Sequence, residues 1–526
     1  FAFALWDREA RELSLVRDRL GIKPLFYGRV PGGVVFGSEL RALARHPGFE
    51  GTVAPDAVAA FLRYCYVPTP HTIFREAKKV VPGTILRFRG PRFEAAAEEV
   101  YWSAIDVAVR GRRDPLDVDE AEATDLVHEA LRAAVSDRMV ADVPLGAFLS
   151  GGIDSSTVVA LMQEASPRPV KTFSIGNERS SYDEGEDAQR VAAHLGTDHT
   201  ALTVTAAEAL AVVPELARMY DEPFADASQI PTHLVSRLAR REVTVALSGD
   251  GGDEVFGGYN RHLWAPRVWR LLEVTPRPLR SALRAALESR SADEWNQALS
   301  RLGPLAPPVR LPGDKLHKLA RVLEPDSPAE LYRGLCSTWP DPSELVERGG
   351  EARPREHWSA ALPTFRERLM LADLITYLTD DILTKVDRAS MSVSLEARVP
   401  ILDHRVVELA WRLPLDVKIR RGRGKRVLRA VLDRYVPRAL VERPKMGFGV
   451  PIGDWLRGPL RDWAEGLLDE GRMRDAGLRS SAVRATWREH LDGRRSHDHR
   501  IWATLMYLAW HDQLRDTAWA SRAATA

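Results

Sequence analysis

The sequence predicts two domains: an antiparallel β-sheet domain of mixed α+β type, followed by an α/β domain built on a parallel sheet. Residues 1–40 alternate apolar and polar side chains between turn signals such as Pro31-Gly32-Gly33, which is typical of antiparallel strands. From residue 121, short apolar runs alternate with helix-compatible stretches, which is typical of a parallel sheet covered by helices. At 526 residues, the chain is also too long for one ordinary domain.

The first domain is predicted over residues 1–95. Its strands are predicted at 1–7, 12–18, 24–30, 33–40 and 83–88, with a helix at 54–63. Residues 89–120 carry Gly, Pro and many charges with little periodicity, and the linker between the domains is assigned to 96–120. The chain begins at Phe1 with a segment that already has a strand pattern, so we expect the natural start upstream and an exposed, adhesive strand at residues 1–7.

The second domain is predicted over residues 121–526. Its predicted strands are 143–149, 170–175, 200–205 and 243–247, and the helices nearest to them are 122–138, 155–164 and 183–195. Beyond residue 260 the sequence is mainly helical. Ligands of parallel sheets bind at the carboxyl ends of the strands, so the segments that follow 143–149 and 243–247 are the candidate site.

Bulk composition excludes several functional classes. The chain has 74 basic and 73 acidic residues, a formal net charge of +1, so bulk attraction to nucleic acid or to an anionic membrane is not expected. No apolar run is long enough to span a bilayer. Its two cysteines, Cys65 and Cys336, form neither a disulfide framework nor a Cys-x-x-Cys metal site, which fits a reducing cytoplasm.

The most informative motif is Leu-Ser-Gly-Gly-Ile-Asp-Ser-Ser at residues 149–156. Two glycines between a strand and a helix let backbone N–H groups converge on an anion at the helix N-terminus. Asp154 beside that anion indicates a bridging metal ion, because a bare carboxylate would repel phosphate. A tight turn with an Asp/Ser helix cap is the alternative for Ser-Gly-Gly alone. The motif lacks the Gly-Lys-Ser/Thr of the Walker type and resembles the loop of enzymes that split ATP into AMP and pyrophosphate.

A second motif, Ser-Gly-Asp-Gly-Gly-Asp-Glu at residues 248–254, follows the predicted strand 243–247. Acidic glycine-rich loops are often plain turns, but this one follows a second strand end. Asp253 could therefore hold Mg²⁺ together with Asp154, with Asp250 near the reacting end of a nucleotide.

Two further stretches carry candidate residues. Residues 380–403 have the spacing of a helix, but Glu396 and Arg398 come just before Pro400, which predicts a turn that could face a cleft. Residues 443–451 form a Gly/Pro-rich loop that presents Lys445, where solvent exposure is the alternative to a role over phosphate. Such a lysine would neutralise charge on departing pyrophosphate.

Together these four stretches resemble those of bacterial glutamine-dependent asparagine synthetases. The resemblance extends to Arg-Asp-Arg-Leu-Gly-Ile-Lys-Pro at 17–24, Tyr-Asp-Glu at 182–184 and Glu-Pro-Phe-Ala-Asp at 222–226, and thus covers essentially the whole chain. It implies an N-terminal-nucleophile glutaminase domain (a class II glutamine amidotransferase) and an adenine-nucleotide-hydrolase-like synthetase domain. The implied reaction forms β-aspartyl-AMP from aspartate and ATP, and ammonia then displaces AMP to give asparagine.

The resemblance also implies a role for each matching residue. Nucleotide contacts fall on Leu149, Ile175, Ser248 and Gly249. Pyrophosphate contacts fall on Ser150, Gly151, Gly152 and Ser155. Asp154 and Asp253 would bind Mg²⁺, and Lys445 would stabilise the transferred phosphorus. Asp250 stands where the family has an acid, commonly Glu. Ammonia attack produces an ammonium that must lose a proton, and either Asp250 or Glu396 could be the base.

The expected small-molecule partners are ATP, aspartate and ammonia or glutamine, with no nucleic acid and no membrane, and a homodimer is one expected assembly. The family's nucleophile is a Cys at the mature N-terminus, whereas this chain begins at Phe1 and Cys65 matches no such motif. We therefore expect ammonia-dependent synthesis from this chain and no glutamine hydrolysis, with the glutaminase half a non-catalytic remnant.

Two other classes stay open. The same core acts on other carboxylates in β-lactam synthetases, in peptide cyclases and in amidotransferases that tailor metabolites or glycans. Relatives of the β-lactam type commonly carry Tyr at position 250, so Asp250 and the run 396–400 favour the amidotransferase. An RNA-modifying enzyme of the pyrophosphate-loop superfamily is disfavoured by the near-zero net charge and the lack of paired cysteines.

Overall fold

A computed structural model describes residues 1–90, 94–177, 184–290, 292–300, 312–347, 349–354, 361–442, 450–493 and 495–516. The predicted fold class is confirmed: antiparallel strands form the N-terminal part of the chain, and a five-stranded parallel sheet follows.

The N-terminal strands form two antiparallel sheets, ordered β1-β2-β6-β7 and β4-β3-β5. The elements are β1 (Ala2–Asp7), β2 (Glu12–Arg17), β3 (Phe26–Val30), β4 (Gly33–Gly37), α1 (Leu40–Ala44), α2 (Pro55–Tyr64), β5 (Ala77–Lys79), β6 (Thr84–Arg89) and β7 (Glu94–Val100). The chain leaves the first sheet after β2 because the Asp18 carboxylate accepts hydrogen bonds from the backbone N–H groups of Leu20, Ile22 and Lys23. These bonds bend residues 18–23 toward the second sheet.

β1 is an outer strand of its sheet. Its large apolar side chains Phe3, Leu5 and Trp6 are between 45 and 59% exposed. An exposed apolar edge strand offers unpaired backbone groups and an apolar face to other chains, as expected from the sequence.

The segment predicted as an irregular linker contains regular structure. It holds β7, which pairs with β6, and helix α3 (Ala104–Arg113), whose N-cap Ser103 accepts a bond from Asp106 N. Helix α3 packs closely on the C-terminal domain: a Cβ on Gly111 would lie 2.7 Å from the carbonyl carbon of Trp411. The sequence pattern shows neither element: β7 is held by pairing with its chain neighbour β6, and α3 by packing against a part of the chain that is far away in sequence. The domain limits at residues 95 and 120 stay predictions.

The parallel sheet has the strand order β10-β9-β8-β11-β12. Its strands are β8 (Leu145–Phe148), β9 (Lys171–Asn177), β10 (Asp198–Val204), β11 (Val245–Leu247) and β12 (Glu396–Arg398). Helix α4 (Glu120–Met139) precedes the first of these strands, and the helices that follow it are α5 (Ile153–Ala165), α6 (Glu184–Leu195), α7 (Ala206–Met219), α8 (Gln229–Ala239) and α9 (Gly252–Phe256). Strands β8 and β11 are buried at Ala147, Ala246 and Leu247, as expected for strands covered on both faces.

The rest of the chain is mainly helical, as predicted. The helices are α10 (Asn260–Val274), α11 (Arg277–Glu288), α12 (Ala292–Ser300), α13 (Pro312–Val322), α14 (Pro328–Leu335), α15 (Phe365–Ile375), α16 (Thr384–Met391), α17 (His404–Arg412), α18 (Leu415–Lys418), α19 (Arg426–Leu432), α20 (Arg438–Val441), α21 (Ile452–Arg457), α22 (Arg461–Leu467), α23 (Glu470–Asp475), α24 (Ser480–Leu491) and α25 (Asp498–Asp516). A π-helical turn, Leu378–Leu383, separates α15 from α16. None of the helices in the described part of the chain combines the length and apolar character needed to cross a bilayer.

The predicted turn at Glu396 and Arg398 is wrong. These residues form β12, which pairs in parallel with β11 through Val245↔Glu396 and Leu247↔Arg398. Pro400 does follow the end of the extended segment, but residues 396–398 are held by the sheet rather than by a turn.

Lys418 is a buried lysine that we expect to destabilise the fold at neutral pH. It is 2% exposed, and its Nζ donates to Ala410 O at 2.6 Å. Burial lowers the pKa of Lys418 to about 8, which the Glu367 carboxylate only partly offsets. At about 1.4 kcal/mol per unit of pKa, burying the charged form costs on the order of 3 kcal/mol below pH 8.

Lys418→Met is therefore expected to raise the free energy of unfolding at pH 7 by about 1–3 kcal/mol, measured by denaturant titration. The advantage should shrink as pH rises from 8 toward 10.5, because the unmodified protein then buries a neutral amine while its unfolded chain still binds the proton. The exposed Lys78→Met is the control, with an expected change within about 0.5 kcal/mol. A destabilised Lys418→Met protein at pH 7 would contradict the prediction.

Candidate functional site

The candidate site lies where the strand order of the parallel sheet reverses. β8 pairs with β9 on one side and with β11 on the other, so the segments after β8 and β11 leave the same edge of the sheet side by side. In open α/β sheets this switch point is the usual place for a ligand. A cavity of about 890 Å³ lies here, within the range typical of small-molecule sites.

The first loop, residues 149–152, is shaped by two serines. Ser155 Oγ accepts from Ser150 N at 3.2 Å and lies 2.9 Å from Ser150 Oγ. Gly151 has a φ of 66°, a conformation that favours glycine, and turns the chain into α5. The loop therefore opens directly onto the N-terminus of a 13-residue helix, whose partial positive charge favours an anion.

The second loop, residues 248–252, packs against the first without side chains between them. A Cβ on Gly249 would lie 2.5 Å from Ser155 N and 2.8 Å from Asp154 C. A Cβ on Gly252 would overlap with the Asp154 carboxylate. The glycines of this motif are thus required by the close approach of the two loops, and they bring Asp154 and Asp253 together.

Asp154 and Asp253 converge on one cation, the ammonium group of Lys425. Lys425 Nζ contacts Asp154 Oδ2 and lies 2.7 Å from Asp253 Oδ1. Burial alone would lower the pKa of Lys425, but the two carboxylates raise it above its ordinary value, so the lysine stays charged. A Cβ on Gly258 would overlap with both Lys425 and Asp253. Its absence leaves room for this ion pair.

This arrangement fits a Mg²⁺ site completed by substrate. Two carboxylates from two loops already share a cation, and Mg²⁺ is commonly held by one or two carboxylates plus substrate phosphates. In the described residues, no group of three or more His, Cys, Asp or Glu side chains could hold a metal on its own. Phosphate oxygens of a nucleotide would have to supply the remaining ligands.

Lys425 belongs to a cationic loop, residues 420–425, that is not among the motifs recognised in the sequence. Gly422, Arg423, Gly424 and Lys425 line the cavity, and Arg429 of α19 joins them. Arg421 and Lys425 have φ angles of 51° and 55°, a costly conformation for residues other than glycine that is often found at functional sites. The loop is rich in Arg and Gly, and that composition is the signal that could have identified it.

Asp250, in the second loop, is affected by Lys425 of the first charged cluster and by Lys385 of a second one. Burial raises the pKa of Asp250. A hydrogen bond donated by Ser248 Oγ and the charges of Lys385 and Lys425 offset part of this rise. The second cluster pairs Lys385 Nζ with Asp226 Oδ2 at 2.8 Å. Burial opposes ionisation of Asp226, yet Lys385 and Ser228 lower its pKa to about 2.

The cavity gathers most of the predicted site residues. It is lined by Leu149, Ser150, Gly152, Asp154, Ser155, Ile175, Ser248, Gly249, Asp250 and Asp253. Gly151 lies in the same loop, and Lys445 lies outside the described residues. Glu396 does not line the cavity: it sits on β12, its side chain is 43% exposed, and Arg398 Nε donates to it at 2.8 Å. That hydrogen bond lowers the pKa of Glu396.

Cys65 lies at the cavity wall but is not an activated nucleophile. Burial raises the pKa of its thiol to about 12, against a hydrogen bond with Thr338 that lowers it. A thiol that stays protonated is a poor nucleophile, in agreement with the expectation from the sequence.

Fold and site together define a two-domain protein in which an antiparallel domain adjoins a parallel α/β domain with a cavity at its switch point. Comparison with protein families assigns this class. The model described as asparagine synthase matches residues 126–512, and that described as glutamine amidotransferase domain matches residues 1–102. The chain belongs to the asparagine synthase family.

Individual relatives agree with this assignment. The chain is 34% identical to "Putative asparagine synthetase (glutamine-hydrolyzing)" of Mycobacterium tuberculosis strain H37Rv, over 97% of this chain and 76% of the relative. It is 29% identical to "Asparagine synthetase (glutamine-hydrolyzing) 1" of Bacillus subtilis strain 168, over 97% of this chain and 77% of the relative. "Amidase chry2" of Gibberella zeae is 26% identical, over 91% of this chain and 73% of the relative.

Proposed function

We propose that the protein catalyses ATP-dependent amidation of aspartate to asparagine through a β-aspartyl-AMP intermediate. The observation that carries this proposal is the convergence of Asp154 and Asp253, from the two loops at the switch point, on one cation. Family membership supports the reaction class. ATP, aspartate and ammonia or glutamine are the proposed substrates, and Mg²⁺ the proposed metal. A cytoplasmic location, a homodimer and the absence of nucleic-acid or membrane partners remain predictions.

The first half-reaction places negative charge on phosphate. The aspartate side-chain carboxylate attacks the α-phosphorus of ATP, and the bond to pyrophosphate breaks. The N-terminus of α5, Ser150, Ser155 and the cationic loop 420–425 supply positive potential and hydrogen-bond donors for the leaving pyrophosphate. Mg²⁺ held by Asp154 and Asp253 would neutralise phosphate charge when bound.

The second half-reaction requires a base. Ammonia attacks the acyl carbon of β-aspartyl-AMP, the bond to AMP breaks, and the new ammonium loses a proton to become the amide nitrogen. Asp250 is the best-placed acceptor, because it lines the cavity beside both charged clusters and burial raises its pKa. Glu396 is disfavoured as the base by its position away from the cavity.

The direct test is aspartate-dependent release of pyrophosphate from Mg-ATP with ammonium as the nitrogen donor. We expect pyrophosphate and AMP in equal amounts, together with asparagine detected by mass spectrometry. Ammonium is supplied directly, so the result does not depend on glutamine hydrolysis. Absence of aspartate-dependent pyrophosphate release would refute the proposal.

A second candidate is amide formation on a different carboxylate. It is favoured by the relative named an amidase, which matches nearly the same share of the chain. A panel of carboxylic acids decides between the two: if aspartate is inert while another acid drives AMP formation, the second candidate replaces the first.

A further inference from the structure

Two buried polar atoms at the wall of the cavity have no hydrogen-bond partner among the described residues. One is Asp381 Oδ1, on a side chain in the π-helical turn that is 4% exposed. The other is Nη2 of Arg261, in α10. Both residues line the cavity that is also lined by the loops 149–152 and 248–252. Leaving such groups without hydrogen bonds costs free energy, so we expect a bound ligand to supply the missing bonds.

The Arg261 guanidinium is held rigidly by its surroundings. Its Nε donates to Asp373 Oδ2 at 2.8 Å. Its Cζ lies 4.2 Å from the ring centroid of Tyr259 and 4.9 Å from that of Tyr377. These contacts leave Nη2 as the free end of a preorganised cation, a group suited to a carboxylate.

Asp381 sits beside a carboxylate that is already neutralised. Asp226 is paired with Lys385 and Ser228, whereas Asp381 forms no ion pair within the described part of the chain and is affected by Lys385 and Arg261 only at longer range. Burial raises the pKa of Asp381 well above its ordinary value, and the charge of Asp226, whose side chain shares a hydrogen bond with Asp381, adds to this rise, while Lys385 and Arg261 lower it in part. A cation placed next to Asp381 would favour its ionised form and would donate a charge-assisted hydrogen bond to it.

We propose that Arg261 and Asp381 form the subsite for the backbone of an α-amino acid acceptor: Arg261 Nη2 binds its α-carboxylate and Asp381 binds its α-ammonium. This inference rests on the proposed function and adds the residues that select the acceptor. Asp250 and the loops 149–152 and 248–252 line the same cavity as Arg261 and Asp381, and the charges of both Lys385 and Lys425 act on Asp250. We expect an acceptor bound in this way to extend its side-chain carboxylate toward Asp250 and these loops.

The π-helical turn Leu378–Leu383 contributes both to this subsite and to the contact with the N-terminal domain. Asp381 faces the cavity, whereas the adjacent Asp380 accepts from Thr69 N at 2.8 Å and Thr69 Oγ1 at 2.6 Å in the N-terminal domain. Asp380→Asn is therefore a matched control for Asp381→Asn: both replace a buried carboxyl group by an amide, at neighbouring positions whose side chains have different surroundings.

The test compares aspartate with two analogues at saturating Mg-ATP and ammonium. Succinate lacks the α-ammonium, and β-alanine lacks the α-carboxylate. In Asp381→Asn, kcat/KM for aspartate is expected to fall about 50-fold while that for succinate changes little, so the preference for aspartate over succinate collapses. In Arg261→Met, the preference for aspartate over β-alanine should collapse instead. Asp380→Asn should leave both ratios unchanged.

Three outcomes would overturn the inference. One is an unchanged aspartate-to-succinate ratio in Asp381→Asn. Another is an equal collapse of that ratio in Asp380→Asn. The third is a raised KM for ammonium in Asp381→Asn with the ratio intact, because Asp381 would then bind the free nitrogen donor.

Calorimetric titration of aspartate and succinate, without ATP, separates failure of this inference from failure of the proposed function. Tighter binding of aspartate than succinate, lost in Asp381→Asn, supports the subsite even if no pyrophosphate is released. Equal binding of the two acids by the unmodified protein refutes it.

Discussion

Asp154→Asn is expected to lower aspartate-dependent pyrophosphate release by at least about 1,000-fold, the scale seen when a group that stabilises transition-state charge is removed. The carboxylate of Asp154 is one of the two that, within the described part of the chain, contact the ammonium group of Lys425. The amide keeps the shape but not the charge, so neither Lys425 nor Mg²⁺ would be held as before. Steady-state pyrophosphate release at several Mg²⁺ concentrations measures the loss.

The matched control is Asp119→Asn, at the exposed N-cap of helix α4. Asp119 accepts from Ala121 N and Glu122 N in the first turn of α4. Its replacement should cost about 1 kcal/mol of stability or less and leave the rate within about twofold. If Asp154→Asn keeps more than a tenth of the activity while remaining folded, the assignment of the two loops to phosphate and metal is refuted.

Gly258→Ala is expected to produce the second-largest loss, at least about 100-fold in kcat/KM. Its methyl group would overlap with Asp253 Oδ1 and with the Lys425 side chain, so one of the two must move. A displacement of about 1 Å at a charged site is enough for a loss of this size. The overpacking should also lower the free energy of unfolding by about 1–3 kcal/mol.

Gly466→Ala separates the steric effect from the change of residue type. Gly466 lies in helix α22, and no heavy atom lies near its Cβ direction. Alanine there should leave activity unchanged and stabilise the helix by up to about 1 kcal/mol. Activity and stability are measured on the same preparations of both variants. Full activity in Gly258→Ala would show that the Asp253–Lys425 contact is dispensable.

Local sequence patterns were sufficient to predict the elements whose composition is constrained by their immediate surroundings. The apolar runs of β8 and β11 and the glycine-rich motifs after them identified both loops, because buried parallel strands and close loop approach constrain composition within a few residues. The two-domain fold class followed from the change of periodicity near residue 121.

Local patterns failed where a structure depends on a distant partner. Strand β12 forms by pairing with β11, which lies far away in the chain. Glu396, singled out as a candidate base beside Pro400, therefore lies on an edge strand with Arg398 rather than at the cavity. Lys425 was missed for the same reason, since 171 or more residues separate it from both aspartates. Strand β7, with the sequence Glu-Ala-Ala-Ala-Glu-Glu-Val, has no alternating apolar pattern and forms by pairing with its chain neighbour β6.

The sequence by itself determined the fold class, the family and the two loops that carry Asp154 and Asp253, because these depend on short motifs with their own physical requirements. Only the tertiary structure decided which cation those aspartates share, which acid faces the cavity, and which buried atoms remain without partners. Such relations depend on distances between side chains far apart in the chain, and no local spacing encodes them.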